Sequence, residues 1–334
     1  MPVSDRRNHS GIVQVGAATS KNLRAIARAS VAESATVMSH HHRPLALIPV
    51  LLLATALIAG AQAPPAGQGR GGRGGAGQTV EKIRLLKPNL YMVTGGGANT
   101  LIRVTPDGLI VVDTKNPGDE YYSRLMEEIR SVSNLPVKWV VNTQHHPDHV
   151  GTNQKFIDAG AQVLALEALK THMASDTRTK AIPGLPTQTF AKDYTLKFGG
   201  AEVRLYSFGR GHSGGDTMVY FPDAKVVMVS DQITDNAPVV DFANGGSAVG
   251  WAPILDGVLT LDFEMAIPGR GEPKTRAEVE AYRTKFATVV TRASEAIKAG
   301  ATRDTLPMQV KTDDLGWNFN PQFYGSLYDE LTKK

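Results

Sequence analysis

Six consecutive residues hold the densest chemistry in the chain: Gln144-His145-His146-Pro147-Asp148-His149. Imidazole nitrogens beside carboxylate oxygens form a donor set that suits zinc, iron or manganese. A metal held this way lowers the pKa of a bound water and makes a hydroxide nucleophile near neutral pH. In an extended loop, alternating positions 144, 146 and 148 share one side, and His149 adds another imidazole. His212 stands further on in Gly211-His212-Ser213-Gly214-Gly215-Asp216, Asp231 closes the run Val229-Ser230-Asp231, and Arg270 lies in Ile267-Pro268-Gly269-Arg270-Gly271. Four of the nine histidines lie upstream of Arg43. Of the other five, all but His172 sit beside Asp or Gly at expected strand ends, where a rigid scaffold commonly presents ligands. His172 and His145 read more simply as buried, hydrogen-bonded side chains.

The elements that must position these residues follow from turn signals and periodicity. Short β-rich runs at 82–86, 89–94, 100–104 and 109–113 are separated by Lys87-Pro88-Asn89, Gly95-Gly96-Gly97 and Pro106-Asp107-Gly108. The triple glycine reads as a strand-to-strand turn near the site and not as a phosphate cradle. Tyr122, Leu125, Met126 and Ile129 recur at helical spacing and predict a helix over 118–132. Lys138–Asn142 is a buried-type strand running into the histidine cluster, with a helix expected over 149–159 and a strand over 162–166. Strands at 194–198 and 202–208 lead to His212. A hairpin at 217–221 and 225–230 leads to Asp231. A helix over 249–260 precedes strand 263–267, and a long helix runs over 276–299, opened by a Thr275/Glu278 capping box. Strands in two batches with helices between and after them make an α/β domain, whose sheets are covered by helices. Loops 181–188 and 236–246 are expected to line the substrate mouth.

The ordered motifs resemble those of the metallo-β-lactamase superfamily. The cluster at 144–149 is similar to His-x-His-x-Asp-His, and Gly211–Asp216 to Gly-His-(Ser/Thr)-x-Gly-Asp. Asp231 is similar to the strand-end aspartate that bridges two metals, and Ile267–Gly271 to Pro-Gly-His-Gly. The likeness runs along nearly all of 85–300. It implies an αββα sandwich of two mixed sheets flanked by helices, with the site at one edge between the sheets. It also implies a first metal site from Gln144, His146 and His212, a second from Asp148, His149 and the residue at 270, and Asp231 touching both.

Two positions depart from that pattern. Gln144 stands where the first histidine belongs; its amide oxygen is a weaker, neutral donor. Arg270 stands where the last histidine belongs and cannot ligate, because its guanidinium stays protonated. Two unit positive charges 4 Å apart repel by about 4 kcal/mol at an effective dielectric of 20, and a divalent ion roughly doubles that. The expectation is a site altered toward one metal, held by His146, His212, Asp231 and the Gln144 amide. Asp148 and His149 would orient the attacking water. Arg270 would pair with Asp148 or Asp231, or clamp an anionic substrate group. Zinc comes first, as one ion or two, with iron or manganese the alternatives.

The rest of the chain bounds location. Residues 45–61 are an apolar run preceded by Met38, three histidines and Arg43, and followed by Ala59-Gly60-Ala61, as in a signal peptide over 38–61. The other reading is an uncleaved anchor, although Pro49 interrupts the run and a bilayer takes about 20 residues. No cysteine exists to carry a lipid, a disulfide or a thiolate ligand. Residues 1–37 read as a gene-model extension, 62–78 as a Gly/Pro-rich linker and 79–334 as the folded domain. Residues 1–78 hold 8 Lys/Arg against 2 Asp/Glu, which leaves 28 against 30 for the domain, so the basic excess lies outside it and no nucleic-acid partner is indicated. The whole reads as an exported, periplasmic or secreted hydrolase. Metal-bound hydroxide would attack the carbonyl of a small-molecule lactone, ester, amide or β-lactam, with no stable membrane insertion once the leader is cleaved. The alternative is a non-catalytic binding protein of the same fold that uses Arg270 to hold an anion.

Overall fold

The computed structural model describes residues 79–333; the expected extension, signal peptide and linker lie outside them. The first sheet holds seven strands in sequence order: β1 (Arg84–Lys87), β2 (Leu90–Val93), β3 (Thr100–Thr105), β4 (Gly108–Val112), β5 (Val137–Val141), β6 (Gln162–Leu166) and β7 (Gln188–Phe190). β1 to β4 run antiparallel, and β4 to β7 pair in parallel. The second sheet comprises β8 (Asp193–Phe198), β9 (Ala201–Tyr206), β10 (Met218–Phe221), β11 (Val226–Ser230) and β12 (Met265–Pro268), in the order β12-β11-β10-β9-β8. Only β11 and β12 are parallel neighbours there.

Side-chain alternation builds three apolar layers. Leu101, Ile110 and Val112 on the first sheet meet Val203, Leu205, Val226 and Met228 on the second. The intervening positions Ile102, Leu109 and Val111 face outward to helix α1 (Asp119–Val132), which supplies Leu125 and Ile129. Val227 and Val229 face outward on the other side, to Ile254 and Leu255 of α5 (Trp251–Leu259) and Phe286 and Val289 of α6 (Arg276–Lys298). Both faces of each sheet are thus covered, so β4 and β11 read as continuous apolar runs. This is the expected αββα sandwich. The capping box at Thr275 and Glu278 is formed.

The helix expected over 149–159 is two short pieces, here α2 (Pro147–Val150) and α3 (Asn153–Asp158). The break serves docking. Gly151 N–H donates to the Lys115 carbonyl at 3.0 Å, and Thr152 Oγ1 donates to the Thr114 carbonyl at 2.6 Å. A Cβ on Gly151 would stand 2.1 Å from Pro117 N. Helix α4 (Glu167–Ser175), β7, the single turn α7 (Leu306–Gln309) and α8 (Pro321–Thr332) add to the expected elements. None of the described helices is long and apolar enough to cross a membrane.

Candidate metal centre

Strand ends of both sheets converge at one edge. Val112 pairs with Val141, so the residues that follow, Asp113 and Asn142–His149, leave β4 and β5 side by side. Ser230 pairs with Pro268, which sets Asp231 beside Gly269 and Arg270. A Cβ on Gly269 would lie 1.8 Å from Asp231 Oδ1, so the close approach requires glycine. Asn99 closes the seam between the sheets: its N–H donates to the Gly269 carbonyl at 2.7 Å and its amide donates to the Pro268 and Gly271 carbonyls. The Gly95–Gly97 turn joins β2 to β3 next to the site, with Ala98 N–H donating to the Asp148 carbonyl at 3.2 Å.

His146 and His212 face each other here. Their atoms Nδ1 and Nε2 are 3.0 Å apart, and Asp231 Oδ2 lies 3.5 Å from His212 Nε2. The partners of the outer nitrogens assign the tautomers of the neutral rings. His212 Nδ1 lies 2.7 Å from the Val239 carbonyl, and His146 Nε2 lies 2.7 Å from Asp241 Oδ2. Both partners only accept, so both outer nitrogens carry the proton. Burial holds the His146 imidazole below its usual range, against the pull of Asp241. In the neutral rings the two inner nitrogens are then lone-pair donors that meet beside a carboxylate, a set that fits a metal of the nitrogen- and oxygen-binding kind. Donor atoms of His146, His212 and Asp231 all lie within 4.8 Å of one another.

On the far side of Asp231 a cation is already present. Arg270 Nη1 donates to Asp231 Oδ1 and Oδ2 at 3.0 and 3.1 Å, while Nη2 donates to Asp148 Oδ2. Burial would raise the Asp231 carboxyl; Arg270 above all, with His149 and His212, holds it well below the usual range instead. His149 is wholly buried, its Nδ1 2.7 Å from Asp113 Oδ2. Burial opposes its charge, but Asp113, Asp148 and Asp231 outweigh that and raise it to about 10. The Gln144 amide nitrogen lies 2.9 Å from Asp231 Oδ2 and 2.7 Å from His149 Nε2, and its oxygen accepts from His146 N–H at 3.2 Å. An imidazolium at His149 needs an oxygen at that place, whereas Asp231 needs the nitrogen. The amide serves one or the other by turning over.

Residues 92–270 match the family model of the metallo-beta-lactamase superfamily. The chain belongs to that superfamily. It is 27% identical over 229 residues to the 2,4-dinitroanisole O-demethylase subunit alpha of Nocardioides sp., which covers 68% of this chain and 67% of that protein. It is 28% identical over 155 residues to the metallo-beta-lactamase type 2 of Elizabethkingia meningoseptica, covering 44% of this chain and 60% of that protein. A metallo-beta-lactamase structure from Pontibacter korlensis shares the fold, with a TM-score of 0.55 at 20% identity over 63% of this chain and 99% of that one.

Around this centre lie residues that the motifs do not mark. Asp113, at φ 61°, accepts from Thr143 N–H at 2.8 Å and Thr143 Oγ1 at 2.6 Å while it holds His149. Its signal was readable: a polar Asp-Thr-Lys ends the apolar run of β4, as Asp231 ends β11. Lys115 is wholly buried, and its Nζ donates at 2.7 Å to the carbonyls of both Val93 and Ala98. Asp216 holds the His212 turn by accepting from Ser213 N–H, Ser213 Oγ and Gln232 Nε2. Loop 236–246 supplies Asp241 and the Val239 carbonyl to the histidines, whereas the middle of loop 181–188 packs on α3 through Asn153 and the Gly184 carbonyl. His145 is buried, as expected. Its Nε2 lies 3.1 Å from Asp176 Oδ2 and its ring lies beside His172; burial, with His146 adding to it, pushes it down to about 3. His145, His146, Asp176 and Asp241 form a second His/Asp group, but Arg178 already bridges its two carboxylates.

Proposed function

We propose that this protein is an exported metal-dependent hydrolase. Its site would hold one divalent cation, zinc first, between His146, His212 and Asp231. The observation that carries the reading is the pair of imidazole nitrogens, His146 Nδ1 and His212 Nε2, meeting beside Asp231. Bound there, the cation supplies Lewis acidity and lowers the pKa of water. Arg270 takes the place of a second cation, because both arms of its guanidinium are committed to Asp231 and Asp148. Asp148 and His149, 3.6 Å apart, orient the attacking water. Asp148 takes its proton and returns it to the leaving oxygen or nitrogen as the carbonyl carbon gains the water oxygen. Lactones, esters, amides and β-lactams are the substrate class. The relatives named metallo-beta-lactamase support the last of these. Export rests on the apolar run at 45–61.

A second reading, a non-catalytic protein of this fold, draws on the same Arg270, which neutralises carboxylates that a second metal would need. Its anion-holding form is weakened because those guanidinium arms are already paired. Metal analysis of purified protein together with a chelator-sensitive assay over the four substrate types separates the readings. One metal per chain, with turnover lost in His146→Ala and His212→Ala, supports the hydrolase. Two tightly bound metals overturn the one-cation site. Metal-independent binding without turnover supports the second reading.

A further inference from the structure

Two arginines stand on opposite sides of the histidine pair, each between two carboxylates. Arg270 joins Asp231 to Asp148, and Arg178 joins Asp241 to Asp176. The second clamp reaches His146 directly. Asp241 Oδ2 faces His146 Nε2 at 2.7 Å, and it also accepts from Asn244 Nδ2 at 2.9 Å and from Arg178 Nη2. Asp176, just beyond α4, accepts from Arg178 Nε at 2.9 Å, from Asn244 Nδ2 at 3.0 Å and from buried His145. Arg178 and Asn244 thus cross-tie the end of α4 to loop 236–246, at the carboxylate that orients a histidine of the centre.

We infer that Arg178, acting through Asp241, is a positioning residue that fixes the ring of His146 with Nδ1 toward His212. This rests on the proposed role of His146 as a ligand. The physical case has three parts. Asp241 can only accept, so it selects the proton-bearing face of the ring and leaves the other nitrogen as donor to a metal. Asp241 lies on a loop just before a 3₁₀ turn (Phe242–Asn244); its backbone N–H donates to the His212 carbonyl at 2.8 Å, but that bond leaves the direction of its side chain to Arg178 and Asn244. Asp176 and Asp241 direct their Oδ2 atoms at the same guanidinium nitrogen, so without Arg178 the buried Asp176 and half-buried Asp241 carboxylates repel. The Asp241 side chain then turns away from His146 while its backbone stays on His212. Arg178 is itself 38% exposed and makes no hydrogen bond to either histidine, so it orients the ring through the carboxylate, its charge acting on His146 only at a distance.

The test compares the wild type with Arg178→Met, Arg178→Lys and Asp241→Asn. Arg124→Met, at an exposed Arg124–Glu127 pair, is the control. Zn²⁺ affinity is read by competition with a chromophoric chelator. Long-range ¹H–¹⁵N spectra of the metal-free protein read which ring nitrogen of His146 carries the proton. Removing such an outer partner costs roughly 10- to 100-fold in metal affinity, and that loss is expected in Arg178→Met and Asp241→Asn. A mixed His146 tautomer should accompany it, Arg178→Lys should recover part of the affinity, and the control should match the wild type. Unchanged affinity and an unchanged tautomer in both variants would overturn the inference. If Arg178→Met does not fold, Asp241→Asn and Arg178→Lys decide it. If the wild type binds no Zn²⁺, the metal reading falls instead, and the spectra of the metal-free variants alone decide the positioning role.

Discussion

His146 Nδ1 and His212 Nε2 lie 3.0 Å apart, while the opposite ring nitrogens donate to Asp241 and to the Val239 carbonyl. Two inward-facing imidazole nitrogens beside a carboxylate gain from a bound cation. Ligand binding to the native state alone adds about 2.7 kcal/mol of stability at 100 times the dissociation constant. The wild type should therefore melt at a higher temperature as Zn²⁺ is added. His212→Ala, which removes one of the two nitrogens, should show no such rise. Scanning calorimetry with and without Zn²⁺ checks this, and an equal rise in the variant would place the ion elsewhere.

Arg270 makes a second prediction, about charge. Arg270→Ala leaves Asp231 and Asp148 without their cation. Breaking a buried pair costs 3–5 kcal/mol, and because Arg270 is a third exposed the low end, about 3 kcal/mol, is expected in metal-free protein. Urea denaturation reads it. Arg270→His removes the same charge but adds an imidazole beside Asp148, His149 and Asp231. It should bind a second metal per chain, measurable by elemental analysis. A count that stays at one would show that the guanidinium is not what keeps a second ion out.

The stretch 144–149 was legible because short motifs at strand ends bring their side chains together wherever the strands go. His212, Asp231 and Arg270 were legible for the same reason. Asp241 and Arg178 were not. Asp241 meets His146 across 95 residues of chain, from a loop with no period, and Arg178 follows a helix that was not anticipated. The fold layers were readable from apolar runs, since both faces of each sheet are covered. The break at Gly151 was not, because it comes from docking against Asn116 and Pro117, a contact between distant segments.

Lys115 predicts a pH dependence of stability. Burial pushes its ammonium down to about 7, although Asp113, Glu81 and Asp148 pull the other way. In the unfolded chain the group stays protonated up to its ordinary value of 10.5. Between those values the unfolded state binds more protons than the native state, so this lysine adds stability as pH rises from 7 towards 10.5. Below 7 both states are charged and the contribution is flat. Lys115→Met abolishes the titration and leaves the Val93 and Ala98 carbonyls without their donor. The wild type should exceed the variant in urea midpoint at pH 7, and the gap should widen at pH 8 and 9. A gap that narrows would mean that Lys115 stays charged through this window.

Gly269 tests whether the carboxylate of Asp231 must sit where it does. Its backbone follows the end of β12 and its N–H donates to the Ser230 carbonyl at the end of β11, and an added Cβ would stand 1.8 Å from Asp231 Oδ1 and 3.1 Å from Asp231 N. The first contact is impossible, so the carboxylate must turn away. It would then leave Arg270 Nη1 and His212 Nε2 together, since both approach the same group. Overpacking of this kind costs about 1–3 kcal/mol, which a domain with three apolar layers can bear. Gly269→Ala should therefore fold, melt at a lower temperature, and lose Zn²⁺ affinity as far as Asp231→Asn does. Near-UV circular dichroism with Zn²⁺ titration measures both. A folded Gly269→Ala variant with wild-type affinity would mean that Asp231 does not contribute a ligand from this position.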